Sequence, residues 1–206
     1  MELTVAVTGA SGTIYAARTL QMLARSSSVK TINLIMSAVV PTVAQVELSV
    51  NLRALDEKKI GEWLALTGED AQKIRFWRLD NLAAKPASGS NKQAGMIVVP
   101  CSMGTIGAIA SGAGTNLIHR AADVTLKEGR KLVIVPRETP FNQIHLENML
   151  RLARAGARIL PASPSFYHKP QTIDDLVNHL CYRILDQFDI PHDKKTEWTG
   201  DEVSDE

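Results

Sequence analysis

Cysteine is nearly missing from this chain: Cys101 and Cys181 are the only two in 206 residues, too few for a disulfide framework. No C-x-x-C pair is present to hold zinc, and no His, Asp and Glu cluster has metal-ligand spacing. The D-D-x-x-D pattern that holds magnesium for diphosphate chemistry is also absent. No apolar run approaches the ~20 residues that a membrane span needs. Charge of one sign is lacking too. The net charge is only +1, with both signs interspersed, which argues against a nucleic-acid groove or a polybasic membrane patch. The N-terminus enters an apolar strand pattern without a basic leader, so a cytoplasmic protein with no nucleic-acid or membrane partner is expected.

What remains is an alternation. Leu3 to Val7, Ile32 to Met36, Met96 to Val99 and Leu132 to Val135 are short, unbroken apolar runs of the kind found in strands buried on both faces. Pro100 and Pro136 are expected to close the last two. Helical patterns follow each strand, the first from about Thr13 to Ala24 and the second from about Ala38 to Leu48. The fold class is therefore α/β, with a mainly parallel sheet covered on both faces. Residues 1–190 are expected to form one domain, and 191–206 a polar C-terminal tail with Trp198 as its only large anchor.

The most informative stretch runs from Arg130 to Met149. Its strand ends in the charged pair Arg137 and Glu138, at the carboxyl end where open α/β sheets bind ligands. Asn142 can then cap a helix whose buried face is expected to be Leu146, Met149, Leu150 and Ala153. Two further strand ends carry Gly and hydroxyl turns that open helices: Gly9-Ala10-Ser11-Gly12, and Cys101-Ser102-Met103-Gly104-Thr105. Each presents free N–H groups and side-chain oxygens, and two such turns in one sheet suit a phosphate-bearing cofactor. Ser37 adds a hydroxyl at a third strand end. Cys101 reads as a small buried residue, since nothing basic is adjacent to lower its pKa. His145 reads as a packed or surface histidine, and Asp174 and Asp175 as capping residues. Arg120, Asp123 and Lys127 share one helical face, ordinarily a solvated ion-pair face. Arg183 lies at the edge of an apolar stripe formed by Ile173, Leu176, Val177, Leu180 and Ile184, where a cation wants an anionic partner.

Together these segments resemble the flavin prenyltransferase family (UbiX/Pad type). The similarity is carried by Val7 to Gly12, Pro86-Ala87-Ser88-Gly89-Ser90, Pro100 to Thr105 and Asn116 to Val124. It continues through Leu126-Lys127-Glu128, Pro136 to Pro140, Ile144 to Met149 and Pro164-Ser165-Phe166-Tyr167, and spans about Val5 to Ile190. The resemblance implies a three-layer, Rossmann- or flavodoxin-like, doubly wound fold. It implies transfer of the dimethylallyl group of dimethylallyl monophosphate to N5 and C6 of reduced FMN, with no metal. The product, prenylated FMN, would serve a UbiD-type decarboxylase. By the same resemblance Gly9, Ala10, Ser11, Ser37, Ser102, Met103, Gly104, Thr105 and Arg137 match FMN-binding positions. Arg120, Lys127, Tyr167 and Arg183 match the prenyl-phosphate site. Ser11, Glu47, Glu138 and Lys127 match catalytic positions, the two glutamates as proton-handling groups. The family's sites lie between subunits of a homo-oligomer, a dodecamer, which would explain charged groups with no partner in their own chain.

Two other readings fit parts of the pattern. An FMN-dependent decarboxylase of aromatic or cysteinyl acids would share the fold and the flavin site, but would leave Lys127 and Arg183 without a phosphate to bind. An electron-transfer flavoprotein would hold a stable semiquinone and need no prenyl donor.

Overall fold

The computed structural model describes residues 1–192. Of the expected tail only Pro191 and His192 fall within them; Trp198 lies outside the described residues. The strands are β1 (Glu2–Val7), β2 (Thr31–Met36), β3 (Ile74–Trp77), β4 (Gly95–Cys101), β5 (Lys131–Pro136) and β6 (Arg158–Ile159). All pair in parallel, in the order β3-β2-β1-β4-β5-β6. The helices are α1 (Thr13–Arg25), α2 (Val40–Leu48), α3 (Glu57–Trp63), α4 (Gly68–Gln72), α5 (Met103–Ala110), α6 (Leu117–Lys127), α7 (Gln143–Arg154) and α8 (Ile173–Asp186), with one 3₁₀ turn at Lys85–Ala87.

Side chains alternate across each strand, so β1 turns Leu3, Val5 and Val7 to one face and Ala6 to the other. The first face packs on Leu20 and Leu23 of α1 and Leu180 and Ile184 of α8. The second packs on Ile106 of α5, Leu117 and Ile118 of α6, and Met149 and Leu152 of α7. Two cores on the two faces of one sheet make the expected three-layer, doubly wound α/β fold. The chain builds outward from β1 to β3, then crosses back to lay β4 beside β1. That reversal opens a crevice between the carboxyl ends of β1 and β4, the place where such sheets bind ligands.

Three sequence expectations are corrected. Pro100 does not close β4; it lies inside it, at an irregularity in the β4–β5 register between Val98 and Cys101. A residue without an N–H is tolerated where the ladder is already interrupted. On α7 the buried residues are Met149 and Leu152, whereas Leu146 and Leu150 are about half exposed and Ala153 is exposed. The helix leans on α5 along one edge, with Asn148 against Gly107, and turns Ile144, Leu146 and Leu150 away from its own chain, next to Phe141, exposed just before it. On α8, Ile173 is likewise exposed, although Val177, Leu180 and Ile184 are buried as expected.

Candidate active site

The switch-point crevice is pinned by a residue that sequence reading passed over. Thr8 is buried, and its Oγ1 donates to the Pro100 carbonyl (2.8 Å) while accepting from the Ser102 N–H (2.8 Å). The hydroxyl therefore ties the end of β1 to the end of β4 and fixes the spacing of the two turns that follow.

The first turn, Gly9 to Gly12, leads into α1. Gly12 has φ +107°, and a Cβ there would lie 2.9 Å from the Tyr15 ring, so only glycine fits both backbone and neighbour. A Cβ at Gly9 would press on Val39 at 3.1 Å. Ser11 is exposed and its carbonyl accepts from Arg137 Nε at 3.0 Å. Arg137, following β5, thus reaches across to the turn after β1.

This helix start is an anion site, as its N–H groups require, but the anion comes from the chain itself. Glu47 at the end of α2 accepts from Gly12 N–H (3.0 Å) and Thr13 N–H (2.9 Å). Burial works against its ionisation, yet hydrogen bonds from the Ser11 hydroxyl, the Thr13 and Gly12 N–H groups and the Thr13 hydroxyl outweigh it. The carboxyl is held below its ordinary value. A depressed folded-state pKa adds stability above the unfolded value near 4.5, which is lost as pH falls through the folded value. Glu47→Gln should therefore lose stability relative to wild type near neutral pH, with the gap closing as pH falls below the unfolded value near 4.5 and through the lower folded one. Denaturation midpoints measured across that range check it; a gap constant with pH would show that the carboxylate charge is not what caps α1.

The second turn opens α5. Ser102 Oγ caps the helix by accepting from Thr105 N–H (3.4 Å) and lies 3.0 Å from Thr105 Oγ1. Met103 packs inward, and a Cβ at Gly104 would meet nothing within 4 Å, so the first turn of α5 is open to an approaching group. Ser37, after β2, has its Oγ buried and without a partner among the described groups. It lines a cavity of about 760 Å³ over the ends of β2 and β3, with Met36, Thr42, Leu55, Arg78 and Asn116. That volume is of the size that holds a cofactor ring. Glu138 stands exposed beyond β5, accepting from Thr139 N–H at 3.0 Å.

The structure thus brings Gly9, Ala10, Ser11, Ser37, Glu47, Ser102, Met103, Gly104, Thr105, Arg137 and Glu138 to one sheet edge. It does not bring Arg120 and Lys127 there within one chain. Lys127 is the last residue of α6, four residues before β5 begins, and so sits toward the opposite, amino edge of the sheet. It contacts Glu128 and lies against Gly89, while Arg120 donates through Nε to the Ala87 carbonyl at 3.2 Å. Tyr167 and Arg183 form a third group around α8. The expectation that these cations lack intrachain partners is overturned: Arg120 pairs with Asp123 (3.0 Å), Lys127 with Glu128, and Arg183 with Asp186 (2.8 Å). All three pairs are solvent-exposed and screened, too weak to hold a cation against a phosphate dianion.

The remaining expectations concern single residues. Cys101 is fully buried and burial raises its thiol pKa far out of reach of neutral pH, so it is no nucleophile. His145 caps α7 together with Asn142, and Asp175 completes the capping box of α8. Asp174 pairs with Arg18 at 2.8 Å instead.

Crevice, glycine turns and arginine define a phosphate-cofactor protein of the doubly wound α/β class. Residues 1–185 match the flavoprotein family. The chain is 45% identical over 207 residues to the flavin prenyltransferase UbiX of Pseudomonas aeruginosa, covering 100% of this chain and 98% of that one. A solved dodecameric FMN-dependent UbiX-like decarboxylase from Escherichia coli O157:H7 superposes with TM-score 0.83 at 40% identity, covering 97% of this chain and all of that one. The solved AnUbiX (PadA1), in complex with FMN and dimethylallyl pyrophosphate, gives 0.80 at 38% identity, over 96% and 98% of the two chains. The chain belongs to the flavin prenyltransferase branch of the flavoprotein family.

Proposed function

We propose that this protein is a flavin prenyltransferase that joins the dimethylallyl group of dimethylallyl monophosphate to reduced FMN. The observation that carries the reading is the crevice itself: the α1 turn already holds a carboxylate, while the α5 turn and Ser37 are open. A flavin phosphate belongs at the open end, with N–H groups and hydroxyls from Ser102, Met103, Gly104 and Thr105 and the partnerless Ser37 Oγ. Its ring then lies toward Gly9, Ala10, Ser11, Glu47, Arg137 and Glu138. Reduced FMN supplies a nucleophilic nitrogen and carbon and a π-face beside which an allylic cation is stabilised.

This chain's residues do the rest. Arg120, Lys127, Tyr167 and Arg183 meet the donor phosphate, and their positive charge and hydrogen bonds strengthen as the ester's C–O bond ionises. They do so for a monophosphate without the magnesium that diphosphate chemistry recruits. Glu47, bonded to the turn that follows Ser11, and Glu138, next to Arg137, take and return protons as N5 and C6 are alkylated. Because Lys127 and Glu138 lie at opposite edges of one chain, a complete site needs a second copy, and a dodecamer supplies it. The apolar residues that α7 turns outward, Ile144, Leu146 and Leu150, with Phe141 just before the helix, are surface for that assembly. The product is passed to a UbiD-type decarboxylase, in the cytoplasm.

Anaerobic mixing with reduced FMN and dimethylallyl monophosphate, followed by mass spectrometry of the released flavin, tests this. A flavin heavier by one C5H8 unit is expected. The rival is favoured by the decarboxylase name of the Escherichia coli relative. Carbon dioxide release from an aromatic or cysteinyl acid without the heavier flavin would establish it instead.

A further inference from the structure

Tyr167 is about half exposed, yet its hydroxyl is held from below by a buried group. The phenol oxygen lies 3.2 Å from Nε2 of His179 on α8, and Ser165 Oγ lies 2.9 Å from the same nitrogen. His179 is only 6% exposed. Its ring meets the phenol edge-on, with centroids 5.7 Å apart at 84°, and stacks against His168 at 4.8 Å and 6°. Arg183 is one turn further along α8 and lines, with His179, a cavity of about 420 Å³.

We infer that His179 is a positioning residue of the donor site, orienting the Tyr167 hydroxyl so that its proton points at the prenyl phosphate bound by Arg183. The inference rests on the assignment of Tyr167 and Arg183 to that phosphate. It names a residue that neither touches the ester nor belongs to the set read from the sequence.

The tautomer decides which way the phenol points. If Nε2 is the acceptor, it draws in the protons of Ser165 and the phenol, and a phenol whose proton faces the ring turns oxygen lone pairs toward an anion, which repels them. If Nε2 carries the proton, the N–H is shared between Ser165 Oγ, the nearer oxygen, and the phenol oxygen, and the phenol O–H is turned away from the ring toward a phosphate oxygen. In that second form Nδ1 is a bare lone pair. Nδ1 is buried with no partner among the described groups, and a buried unpaired acceptor is tolerated better than a buried unpaired N–H. The burial of Nδ1 thus selects the form that the phosphate needs. Burial, then the neighbouring His168 and Arg183, lower the His179 pKa, with Asp186 pulling the other way, so the ring stays neutral at neutral pH.

A double-mutant cycle on the full-length, flavin-loaded protein tests this, reading the KM for dimethylallyl monophosphate, kcat and FMN affinity. Tyr167→Phe is expected to raise the donor KM about tenfold, and His179→Leu about fivefold, with FMN affinity unchanged in both. His179→Leu in the Tyr167→Phe background should add nothing, because the histidine acts only through the phenol. His179→Gln, whose amide reaches the same point, should restore KM to within about twofold of wild type. Should His179→Leu fail to assemble, His179→Asn, whose amide falls short of the phenol, carries the same expectation. A Tyr167→Phe effect with no His179 effect, or His179 and Tyr167 effects that simply multiply, overturns the positioning role and leaves the phosphate assignment standing. A silent Tyr167→Phe overturns that assignment, and the role of His179 with it.

Discussion

Glu138→Gln is expected to leave FMN binding intact and to slow formation of prenylated flavin by about 100-fold or more. General acid–base groups contribute roughly 10²- to 10⁴-fold, and an amide of the same shape can neither take nor give the proton. The position supports so large an effect. Glu138 follows Arg137 directly after β5, and Pro136 and Pro140 flank the turn and restrict its backbone. Among the described residues its carboxylate accepts from the neighbouring Thr139 N–H, and it is exposed, open to an entering substrate. Glu47 differs: three of its hydrogen bonds come from the α1 turn, and its charge is bound up with holding that turn. Of the two carboxylates Glu138 is therefore the one free to exchange a proton during turnover. Single-turnover mixing under anaerobic conditions, with the flavin followed by absorbance and mass, reads the result. An unchanged rate would remove Glu138 from the chemistry and shift proton handling to Glu47.

The sheet was readable from the chain because its strands are buried on both faces. An unbroken run such as Leu132 to Val135 has no other comfortable place in an α/β domain than a strand covered on both faces. The caps of α7 at Asn142 and of α8 at Thr172 were readable for a similar reason, since short polar side chains just ahead of an apolar-periodic run have a local job, but the part His145 plays in the first was missed. What escaped were contacts between distant segments. Nothing in the residues around Glu47 announces that its carboxylate caps a helix 35 positions away. Thr8 looks like one more residue of the turn after β1 until β4 is laid beside that strand. The face of α7 was misread because periodicity marks which residues are apolar, and cannot say whether the surface that covers them belongs to the same chain. The candidate site divides along the same line. Turns at strand ends share an edge in any doubly wound sheet, so Ser11, Ser37, Ser102 and Arg137 could be grouped from sequence. Arg120, Lys127, Tyr167 and Arg183 carry no such topological guarantee; only the family resemblance grouped them with the flavin.

Lys127→Ala is expected to lower kcat/KM for dimethylallyl monophosphate by about 100-fold while leaving FMN affinity unchanged. A charge-assisted hydrogen bond to phosphate contributes about 1.5–3 kcal/mol, and more as the leaving group gains charge. The competing contact with Glu128 is exposed and weak, so the free protein holds Lys127 in reserve at little cost. The placement of Lys127 makes a stronger demand than the loss itself. Within one chain it lies toward the amino edge of the sheet while Glu138 lies at the carboxyl edge, so a working site must take the two from different copies. Subunits carrying Lys127→Ala alone, or Glu138→Gln alone, each form only defective sites. Assembled together in equal amounts, about a quarter of the sites in a closed symmetric oligomer should pair an intact Lys127 with an intact Glu138. Co-expressed, differently tagged subunits, purified as mixed assemblies, should recover about that fraction of wild-type turnover. If both groups served from one chain, mixing would restore nothing. Zero recovery from verified mixed assemblies would therefore break the proposed division of labour between copies, even if each single variant behaved as expected.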